Sequence, residues 1–117
     1  MSSRRVWVAS SILPGLALCA VAAEGACERR PRASAAQCEK LVDRYVDLEL
    51  SEDPGAPAMS TEQRARLRGA LAVDVSRRPD LLLVKTRCAT DVTDAAYRCA
   101  VSAQTTSAWH ACIPPIE

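Results

Sequence analysis

Four cysteines, Cys38, Cys88, Cys99 and Cys112, lie in a chain whose other candidates for an interior are mostly alanine, leucine and valine. No other feature constrains the fold as much. Small and medium side chains bury little area each, and a domain of about 90 residues gains only marginal stability from one such core. The aromatic side chains that usually enlarge a core are scarce: Trp7, Trp109, Tyr45 and Tyr97, with no phenylalanine among 117 residues. Covalent cross-links are the natural supplement, and they persist where the compartment is oxidising. Three of the four cysteines fall between Arg87 and Ile113, on what reads as a helix, a reversal and a second short helix.

The N-terminus reads as an address. Arg4-Arg5 form a positive region, Val6 to Ala23 an apolar run, and Ala20-Val21-Ala22-Ala23 a set of small residues suited to cleavage. Residues 1–26 are therefore expected to be a secretory signal. The rival reading is a permanent anchor, but the run is barely long enough to span a bilayer and Ser10, Ser11, Pro14 and Gly15 interrupt it. Ser3-Arg4-Arg5 loosely matches a twin-arginine export signal. Two cysteines could mark a lipidated cut site. Leu16-Ala17-Leu18-Cys19 has a bulky residue before the cysteine, and Glu24-Gly25-Ala26-Cys27 has a charge where leucine is usual. Parity favours Cys27 as the lipidation candidate, because its acylation leaves four cysteines that pair completely. Residues 27–33 would then be a charged tether near the headgroups.

From Ser34 onward the periodicity is helical. Ser34 and Gln37 have the spacing of a capping box, and Cys38, Leu41, Val42, Tyr45 and Leu48 recur at three- and four-residue steps, predicting a helix from about Ala35 to Leu50. Glu39, Asp43 and Asp47 form its solvated acidic side. Ser51 to Ala58, with two prolines and a glycine, is a loop. Ser60 and Gln63 repeat the capping signature and open a second helix to about Ser76. Its expected apolar positions are Leu67, Ala70, Leu71 and Val75, and its Arg64, Arg66 and Arg68 are expected to pair with the acids of the first helix. Pro79 suits the first turn of a third helix, short and buried and reaching Cys88, and Leu81-Leu82-Leu83-Val84 makes it the most apolar. Such a run also fits a buried strand, but no partner strand is visible. Thr93 or Asp91 can cap a fourth helix with a stripe of Ala96, Cys99, Ala100 and Ala103. Ala108 to Cys112 closes with one more turn, and residues 114–117 are an extended tail. The expected fold is all-α: a domain at residues 34–113, a small bundle of four to five short antiparallel helices stapled by two disulfides after the signal segment.

Four cysteines allow three connectivities. A reversal near Thr105-Thr106 leaves Cys99 and Cys112 almost equally far from it, at matching heights on two arms. Cys88 and Cys99 are instead out of step across the turn by about 9 Å at 1.5 Å per residue, beyond a bridge's usual reach. The pairing expected is Cys99–Cys112 with Cys38–Cys88.

Other chemistries are poorly supplied. Without residues 1–26 the chain carries 13 basic and 13 acidic groups, no excess of positive charge for nucleic acid. There is no Cys-x-x-Cys, so zinc modules, dithiol exchange and haem attachment lack their spacing. His110 is the single histidine, no glycine-flanked serine or phosphate-cradling loop is present, and no cofactor or metal is expected. Trp109 and Tyr97 are expected to be packing residues.

Thr93-Asp94-Ala95-Ala96-Tyr97-Arg98-Cys99-Ala100, between Cys88 and Cys112, resembles the endings of small exported cysteine-containing proteins, lipoproteins among them, of myxobacteria and related bacteria. Cys38-Glu39-Lys40-Leu41 is a looser echo. The resemblance covers about the last thirty residues and implies a secreted helical module with no catalytic residue to carry over. The expectation is thus an exported, non-enzymatic envelope protein that binds a protein partner or serves structurally, held at the membrane if Cys27 is acylated. Two alternatives stand beside it. One is a carrier of a small apolar ligand in a cavity lined by Leu67, Leu71, Leu81, Leu82 and Val84; the other is a periplasmic thiol-redox protein.

Overall fold

The computed structural model describes residues 30–116. The signal segment, Cys19 and the lipidation candidate Cys27 lie outside the described residues. Five α-helices and one 3-10 turn follow in order: α1 (Ala35–Glu52), the turn (Ala56–Ala58), α2 (Thr61–Arg77), α3 (Pro79–Asp91), α4 (Asp94–Val101) and α5 (Thr106–Cys112). The described residues form a helical bundle, the all-α class that the periodicity predicts.

Capping fixes where the two longest helices begin. The Ser34 hydroxyl accepts from the Gln37 backbone N–H, and the Gln37 side chain accepts from the Ser34 N–H. Ser60 and Gln63 repeat this reciprocal box at the head of α2. Each satisfies two N–H groups that a helix start leaves without partners. Pro79 occupies the first turn of α3, where its missing N–H costs nothing. Thr93, rather than Asp91, caps α4, its hydroxyl accepting from the Ala96 N–H. α3 continues past Cys88 to Asp91, and an Arg87–Asp91 ion pair spans that last turn.

α1 is the central element, packing against all four other helices. It contributes Cys38, Leu41, Tyr45, Val46, Leu48 and Leu50 to the interior, and Val75, Leu81, Val84, Val92, Ala100 and Trp109 meet them there. Trp109 is fully buried although α5 has only seven residues. Its indole N–H donates to the Leu41 carbonyl at 3.1 Å. Glu52, at the end of α1, accepts from both the backbone N–H and the hydroxyl of Thr106, so the head of α5 is fastened to the foot of α1.

Four sequence-based expectations change. α3 is not buried as a whole: Leu81 and Val84 point into the core, while Leu82 and Leu83, on its other side, are 46 % and 38 % exposed. Within the predicted stripe of α2, Val75 is buried and Leu67 and Leu71 are half-buried, but Ala70 faces solvent and Ala72 takes an inward position. Of the three arginines, only Arg68 reaches an acid of α1, Asp47 at 2.7 Å; Arg64 donates to the Ala56 carbonyl and Arg66 pairs with Glu62 on its own helix. Pro31–Ala33, within the stretch expected to be a tether, is held down. Arg32 forms an antiparallel bridge with Thr93, Ala33 donates to Val92, Asp94 donates to Pro31, and Ala33 is buried.

Candidate functional site

The disulfides come first because they set what the other groups can do. Cys38 is joined to Cys88 with Cα atoms 5.8 Å apart, and Cys99 to Cys112 at 5.6 Å. This is the connectivity that register counting predicts. The first bond links α1 to α3 inside the core, with Cys38 5 % and Cys88 0 % exposed. The second links α4 to α5 at the surface, with Cys99 exposed and Cys112 half-buried. Cys99 was expected in the inward stripe of α4; it stands at the edge, and Ala100 and Ala103 take the buried positions. On the chain-entropy account, closing loops of 50 and 13 residues contributes about 4 and about 3 kcal/mol. Two such bonds are the mark of an oxidising, non-cytoplasmic environment.

A polar cluster surrounds Tyr45. Its ring meets Trp109 edge-on at 4.9 Å and His110 at 5.3 Å. The guanidinium of Arg78, at the junction of α2 and α3, lies 5.2 Å from the ring centroid and donates to the Tyr45 hydroxyl at 3.1 Å. Arg78 also pairs with Glu49 and reaches Asp80 at 3.6 Å. His110 Nε2 stands 3.4 Å from the same hydroxyl. Burial holds the Tyr45 hydroxyl above its ordinary value, outweighing the hydrogen bond and charge of Arg78. Burial thus favours the neutral, protonated hydroxyl. Burial disfavours the Arg78 charge, but the hydrogen bonds and charges of Tyr45 and Glu49 more than offset that, and its pKa is raised. The cluster is a brace: one cation engages groups from α1 and α3 while the aromatic faces seat α5. Nothing in the local sequence distinguishes Arg78 beyond its place just before Pro79.

Two depressions adjoin these elements. One, of about 300 Å³, lies between the start of α3 and the tail, and includes Asp80, Leu81, Val84, Trp109, His110 and Ile113. The other, of about 400 Å³, lies between α1, the 3-10 turn and α2, and includes Asp47, Leu50, Ala56 and Arg64. The first depression takes in Leu81 and Val84 from the lining expected for an apolar ligand, and neither depression takes in Leu67, Leu71 or Leu82. Of that proposed lining, Leu81 and Val84 fill the core while Leu82 faces outward at 46 % exposure.

His110 is exposed, as a lone surface histidine is expected to be, and Cys112 beside it is committed to a disulfide. Among the described residues, no three His, Cys, Asp or Glu side chains gather to hold a metal ion, and no helix is long and apolar enough to cross a membrane. Tyr97, expected in the packing, is half-buried against the core. No protein-family model matches this chain, and no curated protein or solved structure matches it either.

Proposed function

We propose that the chain is an exported protein of the cell envelope that works without catalysis, as a disulfide-stapled helical module presenting its surface to a protein partner. The observation that carries this reading is the pair of bonds, Cys38–Cys88 and Cys99–Cys112, which together tie four of the five helices. Such bonds persist outside the reducing cytoplasm. Support for binding rather than chemistry comes from the Tyr45 cluster, whose charges are spent on one another, and from Val73, Leu82 and Leu83, large apolar side chains left exposed. The finer part of the reading is a lipid on Cys27, which would place the anchor three residues before Arg30 and close to the docked segment Pro31–Ala33. Intact mass spectrometry of the protein from its native cell tests the whole proposal. The expected species lacks the leader and carries two disulfides, with an acyl mass on Cys27. An unprocessed chain with reduced thiols would refute export; a processed chain without the acyl mass would refute only the anchor.

A further inference from the structure

The outward face of α2 has a composition that the folded chain does not explain. Opposite Leu67, Leu71 and Val75 run Glu62, Arg66, Gly69, Val73 and Arg77, all exposed. Val73 is 51 % exposed. Gly69 lies inside a helix, where glycine is less stable than alanine. A Cβ there would meet nothing within 4 Å, and its φ is not positive, so neither space nor backbone geometry in this chain calls for glycine. Absence of a side chain is useful where another backbone approaches closely.

The charges on this face are self-complementary. If a second copy of α2 lies antiparallel across it, with the two-fold axis between Gly69 and Ala70, then Glu62 of each copy opposes Arg77 of the other. Arg66 opposes Val73, so its aliphatic stem covers the exposed valine. The two glycines sit at the crossing, where small residues allow the shortest interaxial distance, about 8 Å. A two-fold contact has this reciprocity, residue i on j and j on i. The Arg66–Glu62 pair within one helix does not prevent it, because both side chains are about three-quarters exposed and such pairs are weak.

We infer that the outer face of α2 is a self-association surface whose occupant is a second copy of this chain, paired antiparallel through Glu62, Gly69, Val73 and Arg77. The inference rests on the reading of the chain as an interaction module and names its partner. The face is about 22 Å long and one helix, about 10 Å, wide, so roughly 220 Å², well short of the roughly 800 Å² per partner of stable complexes; the dimer is therefore weak, with a Kd on the order of 0.1–1 mM. Its natural setting is one of high local concentration.

Sedimentation velocity of the oxidised mature protein from about 10 µM to about 2 mM reads this directly. Wild type is expected to shift from monomer to dimer. Glu62→Arg and Arg77→Glu alone should each weaken association about tenfold, and the double reversal should recover it to within about threefold. Gly69→Ala should raise the thermal midpoint by about 4–8 °C while weakening association about tenfold, opposite directions that a purely structural role cannot produce. Intact mass with two disulfides and unchanged helical circular dichroism verify that each variant is folded. A wild type that stays monomeric overturns the inference, as do charge reversals without effect, a double reversal that fails to recover, or a Gly69→Ala variant that associates normally. A monomeric wild type that is nonetheless processed and oxidised leaves the export reading standing.

Discussion

Native-state reduction should open the two disulfides in a fixed order. Exchange requires a thiolate to reach a sulfur. At the surface bond Cys99 is exposed and Cys112 half-buried, so attack needs no unfolding. At Cys38–Cys88 the residues are 5 % and 0 % exposed, so attack waits for the core to open. With a stability of about 5–10 kcal/mol, the open fraction is on the order of one in 10⁴ to 10⁷. The surface bond should therefore react first by several orders of magnitude. Its loss then removes about 3 kcal/mol by the entropy account, which raises the open fraction about 150-fold and speeds attack on the inner bond. The assay is timed exposure to dithiothreitol, alkylation with iodoacetamide and peptide mass mapping. A species alkylated at Cys99 and Cys112 alone should accumulate before any label appears on Cys38 or Cys88. Early label on the inner pair, or all four thiols appearing together from the start, would refute the reasoning.

Trp109→Ala should cost about 3–5 kcal/mol in denaturant unfolding; Trp109→Phe, which keeps a ring but loses the donor to Leu41, should cost about 1 kcal/mol in hydrogen bonding plus a smaller packing loss. Ser34→Ala and Ser60→Ala should each cost about 1 kcal/mol, and the double variant close to the sum, since the caps belong to different helices. Arg78→Lys, which keeps the charge but loses the fork joining Glu49 to Tyr45, should lower stability by about 1 kcal/mol in the same assay. The hydrogen bond from Arg98, aided by Gln37 and opposed by partial burial, holds the Asp94 carboxyl below its ordinary 3.8. Its contribution is thus complete above about 3.8 and is lost as pH falls through the lower folded-state value. The difference in thermal midpoint between wild type and Asp94→Asn should be constant at neutral pH and shrink in acid; a difference that grows on acidification would contradict this.

Local signals were legible because their partners are three or four residues apart. Ser34 with Gln37 and Ser60 with Gln63 marked two helix starts to the residue, and Pro79 a third. Ends were less legible. Nothing in Ala89-Thr90-Asp91 forbids another turn, so α3 runs on, supported by Arg87–Asp91 and by the Thr90 hydroxyl on the Arg87 carbonyl. Apolar spacing alone places Ala70 inward on α2, but steps of four from Leu67 through Leu71 to Val75 carry the buried stripe toward Ala72. The Cys99–Cys112 pair could be counted from helix register, and Cys38–Cys88 followed as the remaining pair. The Tyr45 brace could not, since Arg78 lies 33 residues and His110 65 residues from Tyr45, and no periodicity relates them. The docking of Pro31–Ala33 on the α3–α4 turn was hidden for the same reason.

The disulfide pattern has a consequence for biogenesis. Each native bond joins immediate neighbours in the series Cys38, Cys88, Cys99, Cys112. A chain that emerges N-terminus first and meets an oxidant as it does so acquires the correct set simply by linking thiols in their order of arrival. No isomerase-driven shuffling, a process that takes seconds to hours, is then required. If the leader carrying Cys19 is removed, the thiol left to spoil this sequence is Cys27, which arrives ahead of Cys38, and an acyl group on its sulfur would remove that competitor.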